Sequence, residues 1–344
     1  MDNFTRKKIS ALELAVAEQY DTANVAQTFS ITPNKAQKII AQARLENSFL
    51  NRINVVLVKN QQGEAIRIDA TGMIAGTTDT ESKDRAPKDP HSKGGTTYHC
   101  QQVNFDTLIK YVTLDAWAHD PKFKTLVAVQ TRKQISTNQI QIGFYGERRA
   151  TTSDPAANPK GQDVAKGWLK KLEEQNAENF LTEGKNAGEI RIGEQGDYVN
   201  LDAAVNDVKQ MIDPEFEDDG DLVAIIGSEL LADDKAKFYD LHGNTPSEKA
   251  RIEDKQIIGT YGGLSAYKVP HFPSRGIMVT SFKNLSIYIQ KDSIRRRMED
   301  NAKRDRYETY QSQNMDYVIE ELGKIAVVKF ASVKLTDDKG ATWS

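Results

Sequence analysis

The apolar positions of this chain change period several times, and each change marks an element. Between residues 5 and 19, Ile9, Leu12 and Val16, continued by Tyr20, recur at helical spacing and predict an amphipathic helix. Asp21 to Thr32 is mixed. Thr32 as cap and Pro33 at the first helical position then predict a second helix to Asn47. Ile53–Val58 and Glu64–Ala70 cluster β-branched residues around Asn60-Gln61-Gln62-Gly63, the signature of a hairpin. From Thr71 to Thr97 large apolar residues nearly vanish, with Pro87 and Pro90 among Gly, Thr, Asp and Lys. Strand-like residues flank that stretch, Ile66-Arg67-Ile68 before it and Tyr98 to Val103 after it. A loop so long with no core of its own is foreign to a compact domain and is expected on the surface.

The segment Thr113–Pro159 organises the rest. Thr113 and Asp115 signal a short helix before Trp117, and Asp120 reads as an N-cap with Pro121 in the first turn. From Phe123, Leu126, Val127, Val129, Ile135, Ile142 and Tyr145 keep mostly helical spacing, although Thr131, Gln134, Asn138 and Gln139 make the stripe polar. A helix of about 22–25 residues would be about 35 Å long. That is too long and too polar to be wrapped in core, and it suits a spine carrying smaller lobes. Gly143 and Gly146 loosen its end, and Thr151–Pro159 is turn chemistry.

Asp163–Gln175 is expected as a helix with Val164, Trp168 and Leu172 on one stripe. After a turn at Gly184–Gly188, helices and strands alternate. Helices are expected at Leu201–Met211, from the cap Ser228 through Tyr239, and at Pro246–Ile258. Strands are expected at Leu222–Ile226, Leu264–Val269, Ile277–Thr280 and Leu285–Ile289, which makes residues 190–290 an α/β lobe. Ser293–Leu335 reads mainly as long strands. Its last pair, Tyr317–Leu322 and Lys324–Phe330, is expected to pack back on the spine, and Trp117 and Trp168 are expected buried against it.

Composition narrows the function. With 344 residues, 38% hydrophobic and 28% charged, the core is modest and much of the surface meets water or polar partners. A net charge of −3 argues against a protein that grips nucleic acid by counterion release. One cysteine, Cys100, excludes an internal disulfide and fits a reducing compartment. No apolar run approaches the roughly 18 residues of a membrane helix. Glu13 and Glu18 interrupt the N-terminal apolar stretch, which argues against a signal peptide.

No catalytic, cofactor-binding or metal constellation emerges. His91, His99, His119, His242 and His271 lack ligand spacing, and His99 and Cys100 point to opposite faces of a strand. Gly259, Gly262 and Gly263 bracket a turn before a strand rather than a phosphate cradle. The acidic run Glu215, Glu217, Asp218, Asp219 and Asp221 reads as a solvated loop, a weak cation site or an interface patch. Arg295, Arg296 and Arg297, with Lys303, Arg304 and Arg306, are interleaved with Glu299, Asp300, Asp305 and Glu308. A salt-bridged strand pair, ion pairs to neighbouring subunits and DNA contact all remain open for them.

An ordered series of short runs carries a resemblance. They include Thr113-Leu114-Asp115, Trp117-Ala118, Gly143-Phe144, Arg149-Ala150, Thr152-Ser153-Asp154 and Asn158-Pro159. They continue in Asp163-Val164-Ala165, Gly167-Trp168-Leu169, Val269-Pro270, Phe272-Pro273, Asn284 to Tyr288, Tyr307-Glu308 and Asn314 to Val318. The series, from Phe49 to Val328, resembles the major capsid proteins of peduovirus (P-two-like) tailed phages, a branch of the Hong Kong 97 capsid fold. The resemblance implies an α+β fold with an N-terminal arm (1–50), an extended-loop hairpin with flanking strands (51–112), a spine helix and peripheral domain (113–189), an α/β axial domain (190–290), and peripheral strands with a tail (291–344).

It further implies a structural virion protein. Hexamers and pentamers of the chain would form the icosahedral head shell around double-stranded DNA, bound without sequence specificity and assembled in the bacterial cytoplasm. Other partners would be an internal scaffold and protease, a portal and head-completion proteins, with no membrane and no cofactor. The scaffold-like arm carries Phe29 and Ser30 as a possible processing site, and Arg67, Lys83, Lys88, Arg295, Arg296 and Arg297 are expected inter-subunit contacts. Nothing selects Lys83, Lys88 or Lys93 for the covalent cross-link of the fold's namesake, and none is expected. Alternatives are a tail-tube or sheath subunit, or an enzyme housed in residues 190–290.

Overall fold

Strand pairing far apart in sequence sets the architecture, and the N-terminal elements illustrate it. The computed structural model describes residues 2–66, 69–70, 75–85, 91–92, 95–120, 123–242, 259–336 and 342–343. Helix α1 (Asn3–Tyr20) begins where Asp2 accepts a hydrogen bond from the Thr5 amide (2.6 Å) and ends at Asp21 in the left-handed region, φ 57°. It buries Ile9, Val16 and Tyr20, the stripe its spacing predicts. Strand β1 (Phe29–Ser30) leads into α2 (Pro33–Glu46), with proline in its first turn as expected, and α3 (Ser48–Arg52) follows.

Strand β2 (Asn54–Val58) comes next, then β3 (Gln62–Ile66), β4 (Asp69–Ala70), β5 (His91–Ser92), β6 (Gly95–His99), β7 (Gln101–Asn104) and β8 (Thr107–Lys110). The expected hairpin around Asn60–Gly63 does not form. β2 runs parallel to β15 (Leu285–Gln290), while β3 pairs antiparallel with β6. Burial is the reason: Val55 and Leu57 pack on the core beside Ile287 and Ile289, whereas β3 opens with Gln62, Gly63 and Glu64.

Two further helices, α4 (Tyr111–Trp117) and α5 (Phe123–Tyr145), precede α6 (Trp168–Gln175). At 23 residues α5 is the expected spine. The helix expected from Asp163 starts only at Trp168. The Asp163 carboxylate accepts from the Asp154 amide (2.7 Å) and Asn158 Nδ2 (3.1 Å), and the Gly167 amide donates to the Gly146 carbonyl (2.9 Å). Those bonds hold residues 163–167 in a non-helical path along the spine.

The remaining elements are β9 (Phe180–Leu181), β10 (Ile190–Ile192), α7 (Leu201–Gln210), β11 (Val223–Ile226), α8 (Ser228–His242), β12 (Thr260–Tyr261), β13 (Leu264–Tyr267), β14 (Ile277–Thr280), β16 (Arg295–Asn301), β17 (Arg306–Ile319), β18 (Ile325–Val328) and β19 (Val333–Leu335). The helix expected at Pro246–Ile258 lies outside the described residues. One seven-stranded sheet has the order β1-β16-β17-β15-β2, with β7 and β8 also on β17. A six-stranded sheet has the order β12-β13-β11-β14-β18-β9. The expected pairing of Tyr317–Leu322 with Lys324–Phe330 is therefore absent. β17 ends against β15, and β18 enters the other sheet between β14 and β9. All four residues of β18 are buried, so it needs an interior position covered on both faces.

Trp168 is fully buried, but Trp117 is 53% exposed, against expectation. The inward positions around α4 are taken by Leu114 and Ala118, and Trp117 sits at the helix end.

Candidate functional site

An aromatic hub joins elements far apart in the chain. Trp168 opens α6, its indole N–H donates to the Ser286 carbonyl (3.0 Å), and its ring meets Phe49, Phe144 and Tyr317 edge-on at 5.1–6.3 Å. The Tyr317 hydroxyl donates to the Gln139 carbonyl of the spine (2.7 Å). N-terminal segment, spine, α6 and both sheet strands β15 and β17 thus share one core.

Next to this hub the strand pairs β3/β6 and β4/β5 bracket in sequence most of the stretch Thr71–Thr97, expected as a core-poor loop. Its root is built from buried polar groups. Asp316 accepts from the His99 amide (2.9 Å) and from Lys171 Nζ (2.8 Å), both side chains of that ion pair being 12% exposed. Lys171 also donates to the Tyr317 carbonyl. Cys100 is wholly buried beside them, and burial, reinforced by the Asp316 charge, pushes its thiol up to about 12. It is an inert thiol at neutral pH. The Tyr98 ring packs 5.0 Å from that of Tyr288. Lys171 and Asp316 were not singled out in sequence. The only signal was Asp316, a single acid among Met315, Tyr317, Val318 and Ile319 at the apolar end of β17; Lys171 is hidden in the charged sequence of α6.

The expected contact residues do not form one patch. Arg295 and Arg297 stand on the outer face of β16, and Arg296 points the other way, its guanidinium 5.8 Å from the Tyr20 ring. Arg297 pairs with Glu299 at 2.5 Å, and Arg306 pairs with Glu308, which also accepts from Tyr310 (2.5 Å). These bonds hold the Glu308 carboxyl below its usual range, the Tyr310 hydroxyl contributing most. Lys83 is exposed in a turn closed by its amide on the Asp79 carbonyl (3.0 Å). Arg67 and Lys88 lie outside the described residues.

Phe29 and Ser30 occupy the sheet edge, opposite Arg296 and Arg295. The chain before them, from Ala26 to Thr28, is exposed. The arm is fastened by the Tyr307 hydroxyl donating to Glu13 (2.7 Å), by stacking of Phe4 on His119 (5.1 Å), and by the Arg132–Glu46 pair (2.9 Å). At the acidic loop, Lys324 Nζ lies 2.6 Å from Asp219 and 2.8 Å from Asp221, so a cation of the chain's own bridges two of its five carboxylates. Among the described residues no three His, Cys, Asp or Glu side chains group to hold a metal ion.

Residues 8–330 match the family described as phage major capsid protein, P2 family. The capsid protein of Escherichia phage P2 is 38% identical over 356 positions, covering 98% of this chain and 99% of that one. The major capsid protein of Serratia phage KSP20 is 33% identical over 336 positions, covering 95% and 97%. A chain of the satellite phage P4 procapsid, solved with its size-determination protein, superimposes with a TM-score of 0.77 at 37% identity, covering 98% and 99%. These matches set aside the tube, sheath and enzyme readings. The chain belongs to the P2 family of phage major capsid proteins, structural shell-forming virion proteins with the α+β fold of Hong Kong 97 type.

Proposed function

We propose that this chain assembles through hexamers and pentamers into the icosahedral head shell that encloses double-stranded DNA. The observation that carries this reading is the ribbon β3/β6 with β4/β5, tied at its root through the His99 amide to the Asp316–Lys171 pair. A two-stranded ribbon is marginal by itself and gains its order from a surface beneath it. In a shell that surface is the neighbouring subunit. Arg295, Arg297 and Lys83, all exposed, are assigned to subunit contacts in the same reading, together with Arg67 and Lys88. Residues 1–50 act as the arm, 190–290 as the bulk of the axial domain, and the remainder as spine, loop and peripheral parts.

An internal scaffold and protease, a portal and head-completion proteins complete the particle in the bacterial cytoplasm. Phe29-Ser30 is the processing site, because the chain just before it, Ala26 to Thr28, is exposed and lies outside any helix or strand, where a protease can reach it. Electron microscopy of the chain expressed with and without residues 71–97 tests the assembly reading. The expected result is closed shells from the full chain, and folded subunits without stable shells from the deletion. Normal shells from the deletion would overturn it.

A further inference from the structure

A cavity of about 890 Å³ lies between the arm helices α1 and α2, the first half of the spine and the inner face of the seven-stranded sheet. That volume is near the upper end of the roughly 300–1,000 Å³ typical of ligand pockets. Its walls are mostly aliphatic, with Ile9, Leu12, Val16, Ile39 and Ile135 among them. Three polar atoms of its lining are buried without any hydrogen-bond partner among the described residues: Arg44 Nε, Arg296 Nε and Ser136 Oγ. Ser136 is 1% exposed. Orphan donors of this kind are costly unless something supplies an acceptor.

The charge on the walls is one-sided. Three arginines line the cavity, and among the described residues only Arg132 has a carboxylate partner, Glu46. Asp120 is the one acid of the lining. Arg44 gives one donor to the Asn51 carbonyl and the Arg296 guanidinium lies over the Tyr20 ring, but the Nε of each is left over, so an occupant that brings carboxylates to the arginines and apolar groups to the aliphatic walls matches this lining. It must also reach outside. Trp117 (53% exposed), Leu108 (49%) and Leu126 (45%) all border the same cavity and leave large apolar surfaces in water. A small carboxylic acid could fill the interior, but it would leave this rim uncovered. A helix with an apolar stripe covers both, inserting aliphatic side chains while its flanking acids meet the arginines.

We infer that this cavity is a docking site for an acidic amphipathic helix of a partner protein, clamped by Arg44 and Arg296 under the arm. The inference does not depend on shell formation, so it is tested on the unassembled full-length chain. The probe is a fluorescent helix-forming peptide of about 15 residues, with leucines on one face and glutamates flanking them, beside a counterpart with lysines for glutamates.

Anisotropy titrations should show saturable binding of the glutamate peptide, weakened by salt, and little binding of the lysine peptide. Arg44→Gln, Arg296→Gln and Leu126→Gln should each weaken it about tenfold or more, equivalent to about 1.4 kcal/mol. Circular dichroism checks the fold of each variant. If Arg296→Gln unfolds the chain, Arg44→Gln and the rim variant Leu126→Gln decide. Absence of binding, equal binding of the lysine peptide, or indifference to those two substitutions would overturn the inference. So would sedimentation showing that the chain self-associates through this face and that Leu126→Gln abolishes it, since the occupant would then be a second copy.

Discussion

The indole of Trp168 occupies the space where a side chain on Gly143 would begin: a Cβ built there would lie 2.3 Å from Cζ3 of the ring. The spine helix thus runs through a glycine because α6 lands on it. The indole is also pinned by its bond to the Ser286 carbonyl and cannot step aside. Gly143→Ala, which would stabilise an open helix by about 0.5–1 kcal/mol, should here destabilise by about 1–3 kcal/mol through overpacking. Trp168→Ala should destabilise by about 3–5 kcal/mol, and Trp117→Ala, at its exposed site, by under about 1 kcal/mol. Denaturant melts of the isolated subunit separate the three, and equal losses at both tryptophans would contradict the placement of Trp117.

The ion pair at the root of the β3/β6 ribbon yields a second prediction. Removing one partner of a buried pair leaves an uncompensated charge and typically destabilises by about 3–5 kcal/mol. Asp316→Ala should approach that figure, since it strands Lys171 and frees the His99 amide. Cys100 reports the consequence. In the wild-type subunit its buried thiol should resist a disulfide reagent at neutral pH, and in Asp316→Ala the opened root should let it react well below the unfolding midpoint. Unchanged labelling and stability would show that the pair holds nothing in place.

How much of this was legible in the sequence follows from range. Helices with caps and stripes, α1, α2, α5 and α7, stand where their periodicity places them, because those signals lie within a few residues. The more apolar strands were legible too, though the short β1, β8, β9 and β10 were not, and partnership was not. β2 finds β15 more than two hundred residues away, and β17 and β18 part into different sheets, choices made by burial rather than by adjacent turns. The arginine run shows the same limit. Alternation along a strand splits Arg296 from its neighbours, whereas all three arginines were expected at the subunit contact. The Lys171–Asp316 root was invisible because the two residues lie 145 positions apart and nothing local to either announces a partner.

A third prediction concerns acid. Glu229 at the start of α8 accepts from Arg275, which holds its carboxyl below the ordinary 4.5, with Ser274 assisting. A carboxyl depressed in the folded state contributes stability that is complete above its unfolded value and is lost as pH falls through the folded one. Stability should therefore drop below about pH 4.5 partly through this group, and Glu229→Gln should flatten that limb by starting lower at pH 7, by a small amount for so exposed a pair, and converging with the wild type in acid. Thermal midpoints of the two proteins across pH 3–7 check it; parallel curves would remove the pair from the acid response.

The alternation within Arg295-Arg296-Arg297 separates two effects that a single patch would confuse. Arg295 is exposed, with Ser30 and Ser312 as its cross-strand neighbours, and Arg297 is exposed beside Glu299. Reversal of either to Glu should change the subunit's stability by about 0.5 kcal/mol or less, as at ordinary surface sites. If the outer face of β16 meets acidic groups of a neighbouring copy, the same reversals should lower shell yield, because each small loss repeats over every copy. High salt should act in the same direction on the wild type, since exposed pairs are screened over about 8–10 Å near physiological ionic strength. Arg296 differs, because its guanidinium faces Tyr20 and the arm. Arg296→Glu should loosen the arm from the sheet and destabilise the subunit itself, before any assembly step. Shell yield and subunit melting, measured side by side for the three reversals without DNA, distinguish the cases. Full yield from Arg295→Glu and Arg297→Glu would remove this face from the subunit interface, and an unperturbed melt for Arg296→Glu would show that the inward guanidinium carries no part of the arm's attachment.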